Sequence, residues 1–388
     1  MTIKTLSTGR TSDGMAISGP CRVPFPRWPS HSEAEIAAVA EVLRSGRTNQ
    51  WTGPEVANFE EAFGELVGRP CLAVANGTLA IELCLRGLGI GSGDEVLAPA
   101  RSYVADAATP VHVGARTTFV DVDVASGNVT VESLEAGRTE QTRAAIVVHL
   151  AGWPCDMLAI MEWAGTHGVL IIEDCAQAHG ARVGRTHVGS FGHAAAFSFC
   201  QDKIMSTGGE GGMVCIRDSA AFDRAWSWRD HGKSRVGSMI RSGGPAQLGS
   251  NLRMTGMQAA IGLKQLGQLA DWTAIRTANA SVLREALADV PWLGIPWPGE
   301  GVTHGLFMLG CLVDPSQTVD RDALVERLRV EYPVRTGRVM DVGNHHAGPH
   351  RCSTAAALAE RTLFLPVHPT ADRIDMERLA DAIRDAGP

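Results

Sequence analysis

A lysine that follows an apolar run and precedes a glycine-dense turn can do carbonyl chemistry. Phe197-Ser198-Phe199-Cys200-Gln201-Asp202-Lys203 leads into Ser206-Thr207-Gly208-Gly209-Glu210-Gly211-Gly212. The spacing places Lys203 just beyond a strand, held by a backbone that can fold tightly around it. A desolvated lysine loses its proton and condenses with a carbonyl as a Schiff base. The plainer alternative is a solvated surface lysine beside an ordinary turn.

Two further segments carry suitable chemistry. Gly168-Val169-Leu170-Ile171-Ile172-Glu173-Asp174 reads as a strand buried on both faces, as in a parallel sheet. It puts Asp174 at the carboxyl end of that strand, where open α/β sheets bind ligands. Asp174 is equally suited to capping whatever helix follows. Ala73-Val74-Ala75-Asn76-Gly77-Thr78 is a strand, turn and helix start. The free N–H groups and positive end of such a helix suit a phosphate, although a turn with a Thr cap gives the same pattern.

In order along the chain, these segments resemble the DegT/DnrJ/EryC1/StrS family of pyridoxal-phosphate aminotransferases, which act on keto-sugars and cyclitols. The blocks carrying the resemblance are Asn76-Gly77-Thr78, Pro99-Ala100-Arg101-Ser102-Tyr103-Val104-Ala105, and Glu173-Asp174-Cys175-Ala176-Gln177-Ala178-His179-Gly180-Ala181. They continue with Phe197-Ser198-Phe199 and Lys203, the glycine turn at 209–212, Asp230-His231-Gly232, and Asn251-Leu252-Arg253-Met254. The resemblance runs from about Phe25 to the last helix and is strongest from Asn76 to Met257.

The resemblance implies a type I pyridoxal-phosphate transferase fold, similar to aspartate aminotransferase. It implies a mostly parallel sheet in a large domain and a small C-terminal α/β domain, with the catalytic residues Lys203 and Asp174. Lys203 would form the Schiff base with the cofactor aldehyde. Asp174 would pair with the pyridine nitrogen and keep the ring an electron sink. Gln177 would lie near the ring's phenolic oxygen and Tyr103 would stack on its face. Gly77, Thr78 and Ser198 would contact the phosphate, and Asn251 would reach it from the neighbouring subunit of a homodimer with composite active sites. The implied substrates are a nucleotide-linked keto-sugar and an amino donor, glutamate or glutamine. A cyclitol aminotransferase, an aromatase or dehydratase on the same scaffold, and a non-catalytic regulator are the competing readings.

Gly256 and Arg101 depart from the family's pattern. Arg101, Arg229 and Lys233 are expected to form a positive rim suited to a diphosphate, unless they pair with nearby carboxylates. Residues 335–351 match nothing in the pattern.

The chain has 388 residues, enough for a large and a smaller domain, expected at 25–270 and 271–388 after a loose tail at 1–24. A net charge of −7 with scattered basic residues gives no support for nucleic-acid binding. Nine scattered cysteines without a C-x-x-C pair suit reduced thiols in a cytoplasmic protein, and no apolar run approaches a membrane span. Cys175 and Cys200, beside the expected site, read first as core filler.

Around the motifs, strand-like and helical segments alternate to about Ile216, the pattern of a parallel sheet covered by helices on both faces. Ser32-x-x-Glu35 reads as a capping box ahead of a helix with the apolar stripe Ile36, Val39, Ala40 and Leu43. Val56, Phe59, Phe63 and Leu66 form a second stripe, and a long helical stretch, continuous or else bent or broken, spans about Thr255 to Ala288. His345, His346, His350 and Cys352 lack zinc spacing and read as loop; no metal is expected. Gly87 to Gly93 follows a helix and precedes a strand, the reverse of a dinucleotide fingerprint, and reads as a turn. Asp121 and Asp123 read as strand-end polar groups, and His231 as part of a turn closing a helix.

Overall fold

The computed structural model describes residues 24–235, 248–336 and 352–387. The expected tail up to residue 23, and His345, His346 and His350, lie outside the described residues.

The helices are α1 (Glu33–Ser45), α2 (Glu55–Val67), α3 (Gly77–Leu88), α4 (Val104–His112), α5 (Val131–Gly137), α6 (Met157–His167), α7 (Ser219–Arg229), α8 (Gly256–Leu266), α9 (Leu269–Ala286), α10 (Arg321–Arg329), α11 (Ser353–Arg361) and α12 (Arg373–Ala386). The long central strands are β1 (Cys71–Val74), β2 (Glu95–Pro99), β3 (Arg116–Val120), β4 (Thr142–Val148) and β5 (Leu170–Asp174). Two short strands follow, β6 (Arg182–Val183) and β7 (Thr186–His187), then β8 (Ala194–Ser198) and β9 (Gly212–Ile216). The rest are β10 (Leu293–Gly294), β11 (Val302–Thr303), β12 (Leu309–Val313), β13 (Arg335–Thr336) and β14 (Thr362–Leu365).

Seven strands form the central sheet in the order β1-β9-β8-β5-β4-β2-β3. β9 runs antiparallel to both neighbours, and the remaining pairs are parallel. The expected mostly parallel α/β architecture is what the chain adopts. Both faces are covered, so β1, β2, β8 and β9 are buried along their whole length. One face packs on Ile81, Leu85 and Phe222 of α3 and α7, and another cluster gathers Phe59, Phe63, Phe197 and Phe199. Gly87 closes against Ala221 O and Ala225 Cβ, and Gly89 takes a left-handed φ of 79° to end α3, so this segment is the expected turn.

A second core lies around the antiparallel sheet β10-β12-β14-β13, with Leu283 of α9, Leu324 of α10 and Leu379 of α12 packed upon it. Phe25 joins this core, edge-on to Tyr332 and His368.

The helical stretch from Thr255 to Ala288 is broken at residues 267–268, between α8 and α9. One local expectation needs correction. On α1, Ile36 and Leu43 are 52% and 56% exposed, while Glu35 and Val42 face inward. The cause is polar. Glu35 accepts from Gln265 of α8 at 3.0 Å and from Ser32 and His31, which turns the helix by its buried carboxylate. The stripe on α2 holds, with Val56, Phe59 and Phe63 buried and Leu66 partly so.

Candidate active site

The parallel strands end at one edge of the sheet, and the chemistry collects there. β1 leads through Asn76 into α3, β2 into Ser102 and Tyr103, β5 ends on Asp174, and β8 ends on Ser198. Only a fold that brings distant strands side by side makes neighbours of residues so far apart in sequence.

The start of α3 is built to receive an anion. The Asn76 side chain accepts from Leu79 N–H and its carbonyl from Ala80 N–H. The N–H groups of Gly77 and Thr78, at the first two helical positions, have no acceptor within the helix. Gly77 sits so close to β8 that an added Cβ would lie 2.6 Å from Cβ and 3.0 Å from Oγ of Ser198. A glycine is therefore required for the helix start and the Ser198 hydroxyl to flank one small space, a shape and donor set that fit a phosphate.

Asp174 is buried, and one of its oxygens accepts from Ala176 N–H at 2.8 Å. Burial raises its pKa, opposed by that N–H and by the nearby Lys203 ammonium. Beside it lies Asp106 of α4, equally buried, whose Oδ2 accepts a hydrogen bond from Ser102 and whose Oδ1 has no donor. Burial, and then the Asp174 carboxylate, push the Asp106 carboxyl well above its ordinary range. The contact between the two carboxyl groups pushes Asp106 up and works against the rise that burial imposes on Asp174.

Lys203 is half-buried on the turn after β8, its N–H bonded to Cys200 O. Trp28 Nε1 donates to the Lys203 carbonyl at 2.9 Å, and the ammonium lies 4.8 Å from the Phe307 ring centroid. Trp28 is wedged against Trp272 and His368. Asp202 bonds to Arg335 at 2.7 Å, and although burial opposes it, Lys203 and Arg335 keep its carboxylate below the usual range.

The opening above these groups is a cavity of about 230 Å³ whose walls include Ser102, Tyr103, Gln177, Phe307, Arg335 and Phe364. Tyr103 precedes α4 and is 62% exposed. Gln177 Oε1 accepts from Ala151 N–H at 2.7 Å and steadies Ala151 in the left-handed region at a φ of 55°, unusual for a residue with a Cβ. Its amide N–H groups remain as the donor end.

Not every expected residue joins this group. Asn251 is exposed on a bridge with Asp230, and among the described residues no hydrogen bond links it to Lys203, Asp174 or Ser198. The positive rim does not form. Arg229 is buried and ion-paired with Glu60, Lys233 bonds Asp230 at 3.1 Å, and Arg101 is 4% exposed behind the cavity wall. His231 takes a φ of 59° in the turn that closes α7, as expected. Cys175 is fully buried in the aromatic cluster. Asp121 accepts from the N–H groups of Thr354 and Ala355 and so caps α11, while Asp123 closes its own turn through Ser126.

Glu173, His149 and Cys175 form a buried trio close enough to ligate a metal. Glu173, however, already accepts from Gly189, Phe191 and Gly192 N–H and from His149, whose Nδ1 accepts from Cys155 N–H. Its carboxylate anchors the 189–192 turn.

Sequence reasoning missed Asp106, Trp28, Phe307 and Arg335. Asp106 alone carried a signal: it stands three residues after Tyr103, one turn along a helix start, on the same face.

The residues therefore fit pyridoxal phosphate, with the α3 start and Ser198 for its phosphate, Asp174 for its ring nitrogen and Lys203 for its aldehyde. Comparison with known proteins agrees. The DegT/DnrJ/EryC1/StrS aminotransferase family matches residues 29–384, and the chain belongs to it. Among curated relatives, the spore coat polysaccharide biosynthesis protein SpsC of Bacillus subtilis is 32% identical over 92% of this chain and 95% of its own. UDP-N-acetyl-3-dehydro-alpha-D-glucosamine 3-aminotransferase of Acidithiobacillus ferrooxidans is 36% identical over 80% and 82%. L-glutamine:2-deoxy-scyllo-inosose aminotransferase of Streptomyces fradiae is 37% identical over 69% and 66%.

Among solved structures, an aminotransferase from Psychrobacter cryohalolentis superposes with a TM-score of 0.89 at 39% identity, covering 93% of this chain and 98% of that one. S. venezuelae DesV, solved in complex with a ketimine intermediate, gives 0.83 at 32% identity, covering 90% and 93%. The protein is a pyridoxal-phosphate-dependent aminotransferase.

Proposed function

We propose that the protein moves an amino group from glutamate or glutamine onto a ketone of a nucleotide-linked sugar. The observation that carries this reading is the meeting of Lys203, Asp174 and the α3 start with Ser198 at one sheet edge. When bound, pyridoxal phosphate supplies a carbonyl that carries the amine and a ring that accepts an electron pair. Gly77, Thr78 and Ser198 bind its phosphate. Asp174, kept anionic by Asp106, holds the proton on the ring nitrogen. Tyr103 covers one ring face and Gln177 donates to the phenolic oxygen. Lys203 Nζ would take the proton leaving the donor's Cα and hand it to the cofactor's carbonyl carbon within the first half-reaction, and would carry a proton the opposite way in the second. The large domain, 25–270, supplies these groups, and the small domain, 271–388, closes the cavity.

Asn251 belongs, in this reading, to the neighbour's site in a homodimer, which accounts for its exposed place here. Mixing inactive Lys203→Ala and Asn251→Ala chains restores activity if that is so; full activity of a monomer contradicts it.

A sugar nucleotide is favoured over a cyclitol by the extent of likeness. Relatives named for UDP-, GDP- or dTDP-sugars align over 79% to 90% of this chain, and those named for inososes over 69%. Arg335, half-exposed in the cavity wall and ion-paired with Asp202 at 2.7 Å, is the cation that would meet a diphosphate by exchanging that partner. Retention of Lys203 opposes a dehydratase. Among the described residues no helix is long and apolar enough to cross a membrane, and the described cysteines are all free, which supports a reducing, cytoplasmic setting.

The test is to load the enzyme with amine from the donor and offer keto-sugar nucleotides and keto-cyclitols. Return of the aldehyde absorbance with the nucleotides, and competitive inhibition by a nucleoside diphosphate, are expected. Efficient turnover of an uncharged keto-cyclitol, with no such inhibition, would reverse the assignment.

A further inference from the structure

Among the described residues, Arg101 is a buried cation without a counter-charge. Its side chain is 4% exposed, and its Nη2 donates to Thr362 Oγ1 of β14 at 2.9 Å. Its Nε is buried with no acceptor, and among the described residues no carboxylate pairs with it. Burial alone lowers its pKa, to about 10, so it stays protonated at neutral pH. An uncompensated charge in such a place is among the costliest arrangements a fold can hold.

The surroundings explain how it is accommodated. A cavity of about 30 Å³ lies against the guanidinium, walled by Gly127, Leu150, Trp153, Thr362 and Phe364 among others. That is room for roughly two water molecules. Gly127, with a φ of 71°, lacks the Cβ that would collide with Arg101 Nη1.

Arg276 makes the useful contrast. Among the described residues it too is buried without a carboxylate, and its Nε and Nη2 have no acceptor. Its Nη1, however, donates to the Leu306 and Phe307 carbonyls, its guanidinium lies 5.1 Å from the Trp28 ring centroid, and it lines neither this cavity nor the active-site one. Arg101 has one hydroxyl, the Phe364 ring centroid 5.8 Å from its guanidinium, and a space.

We propose that Arg101 and this cavity form a buried site for a small monovalent anion, a halide or a carboxylate, between the β2–α4 turn and β14. The space is far too small for a diphosphate. The site backs onto the active-site cavity, since Leu150, Ala151 and Phe364 wall both. Arg101 also directly precedes Ser102, which bonds Asp106, and Tyr103 at the mouth. A bound anion therefore ties the strand carrying Thr362 to the loop that positions both groups. Two sources share the chemistry: a free ion from solution, or the carboxylate of the amino donor.

The experiment compares melting of the full chain in chloride, formate and gluconate at fixed ionic strength, for wild type, Arg101→Met and Thr362→Val. Wild type should gain about 2 to 4 °C, saturably, in chloride or formate but not in the bulky gluconate. Arg101→Met, freed of the buried charge, should fold, melt in gluconate no lower than wild type, and ignore chloride. Thr362→Val should still respond, at a higher anion concentration. Crystals soaked in bromide should show anomalous density against the guanidinium. Chloride that raises the donor's KM in wild type alone assigns the site to the donor's carboxylate; an unchanged KM assigns it to a free ion. A wild type indifferent to chloride, an equal response in Arg101→Met, or bromide only elsewhere overturns the proposal.

Discussion

Asp106 lies beside Asp174 in a pocket from which both carboxyl groups are excluded from solvent, and their contact raises the pKa of Asp106 while lowering that of Asp174. Burial and the neighbouring carboxylate both work against ionising Asp106, whereas Asp174 has the Ala176 N–H and Lys203 to oppose its burial. In the proposed function this difference lets Asp174 meet a cationic ring as the more readily ionised of the two.

Replacing Asp106 tests this in the apo protein. Asp106→Asn keeps a donor toward Asp174 and should retain cofactor affinity within a few-fold, whereas Asp106→Leu removes it and should weaken affinity about tenfold or more. The pH dependence has a defined sign. A carboxyl whose folded pKa is raised binds more protons in the native state, so its contribution to stability is lost as pH rises above about 4. Asp106→Asn lacks that loss. Its melting temperature should gain on the wild type's between pH 5 and 8, as measured by melting curves; a constant difference sinks the assignment.

Gly77→Ala tests the anion cradle. A Cβ there would lie 2.6 Å from Cβ of Ser198, so the helix start and β8 must separate. Overpacking of this kind costs roughly 1–3 kcal/mol. Cofactor titration should show affinity falling by more than the loss in apo stability explains. Partial recovery in Gly77→Ala with Ser198→Gly is expected, and an unchanged affinity in the single variant contradicts the cradle.

Glu60 tests the packing beneath the site. Arg229 is buried, pairing with Glu60 and donating to Ala73 O at 3.1 Å. Glu60→Gln leaves the guanidinium without its counter-charge and should destabilise by about 3 kcal/mol in urea unfolding. Arg229→Met with Glu60→Gln should recover part of the loss. A single-variant change below about 0.5 kcal/mol, the usual range of a surface substitution, would show that the pair is not what supports this corner.

Much of this was legible in the sequence because it is local. The strand at Leu170–Asp174, the Asn76 cap and the Lys203 turn each follow from a run of a few residues. What escaped depended on contacts between distant segments. Trp28 meets Lys203 across 175 positions, and Arg335 meets Asp202 across 133. The rim failed partly for the same reason, since Glu60 lies 169 residues from Arg229, whereas Lys233 is taken by its near neighbour Asp230. The α1 stripe failed because a buried carboxylate, not the apolar spacing, sets how that helix docks.

The central claim is that Lys203 is the residue bonded to the cofactor. Borohydride reduction of the holoenzyme, followed by digestion and mass spectrometry, should place the phosphopyridoxyl group on the peptide containing Lys203. Lys203→Ala should lose turnover while still binding the cofactor reversibly through Asp174 and the α3 cradle. Label on Lys233 or Lys264 instead, or turnover surviving in Lys203→Ala, would contradict the account.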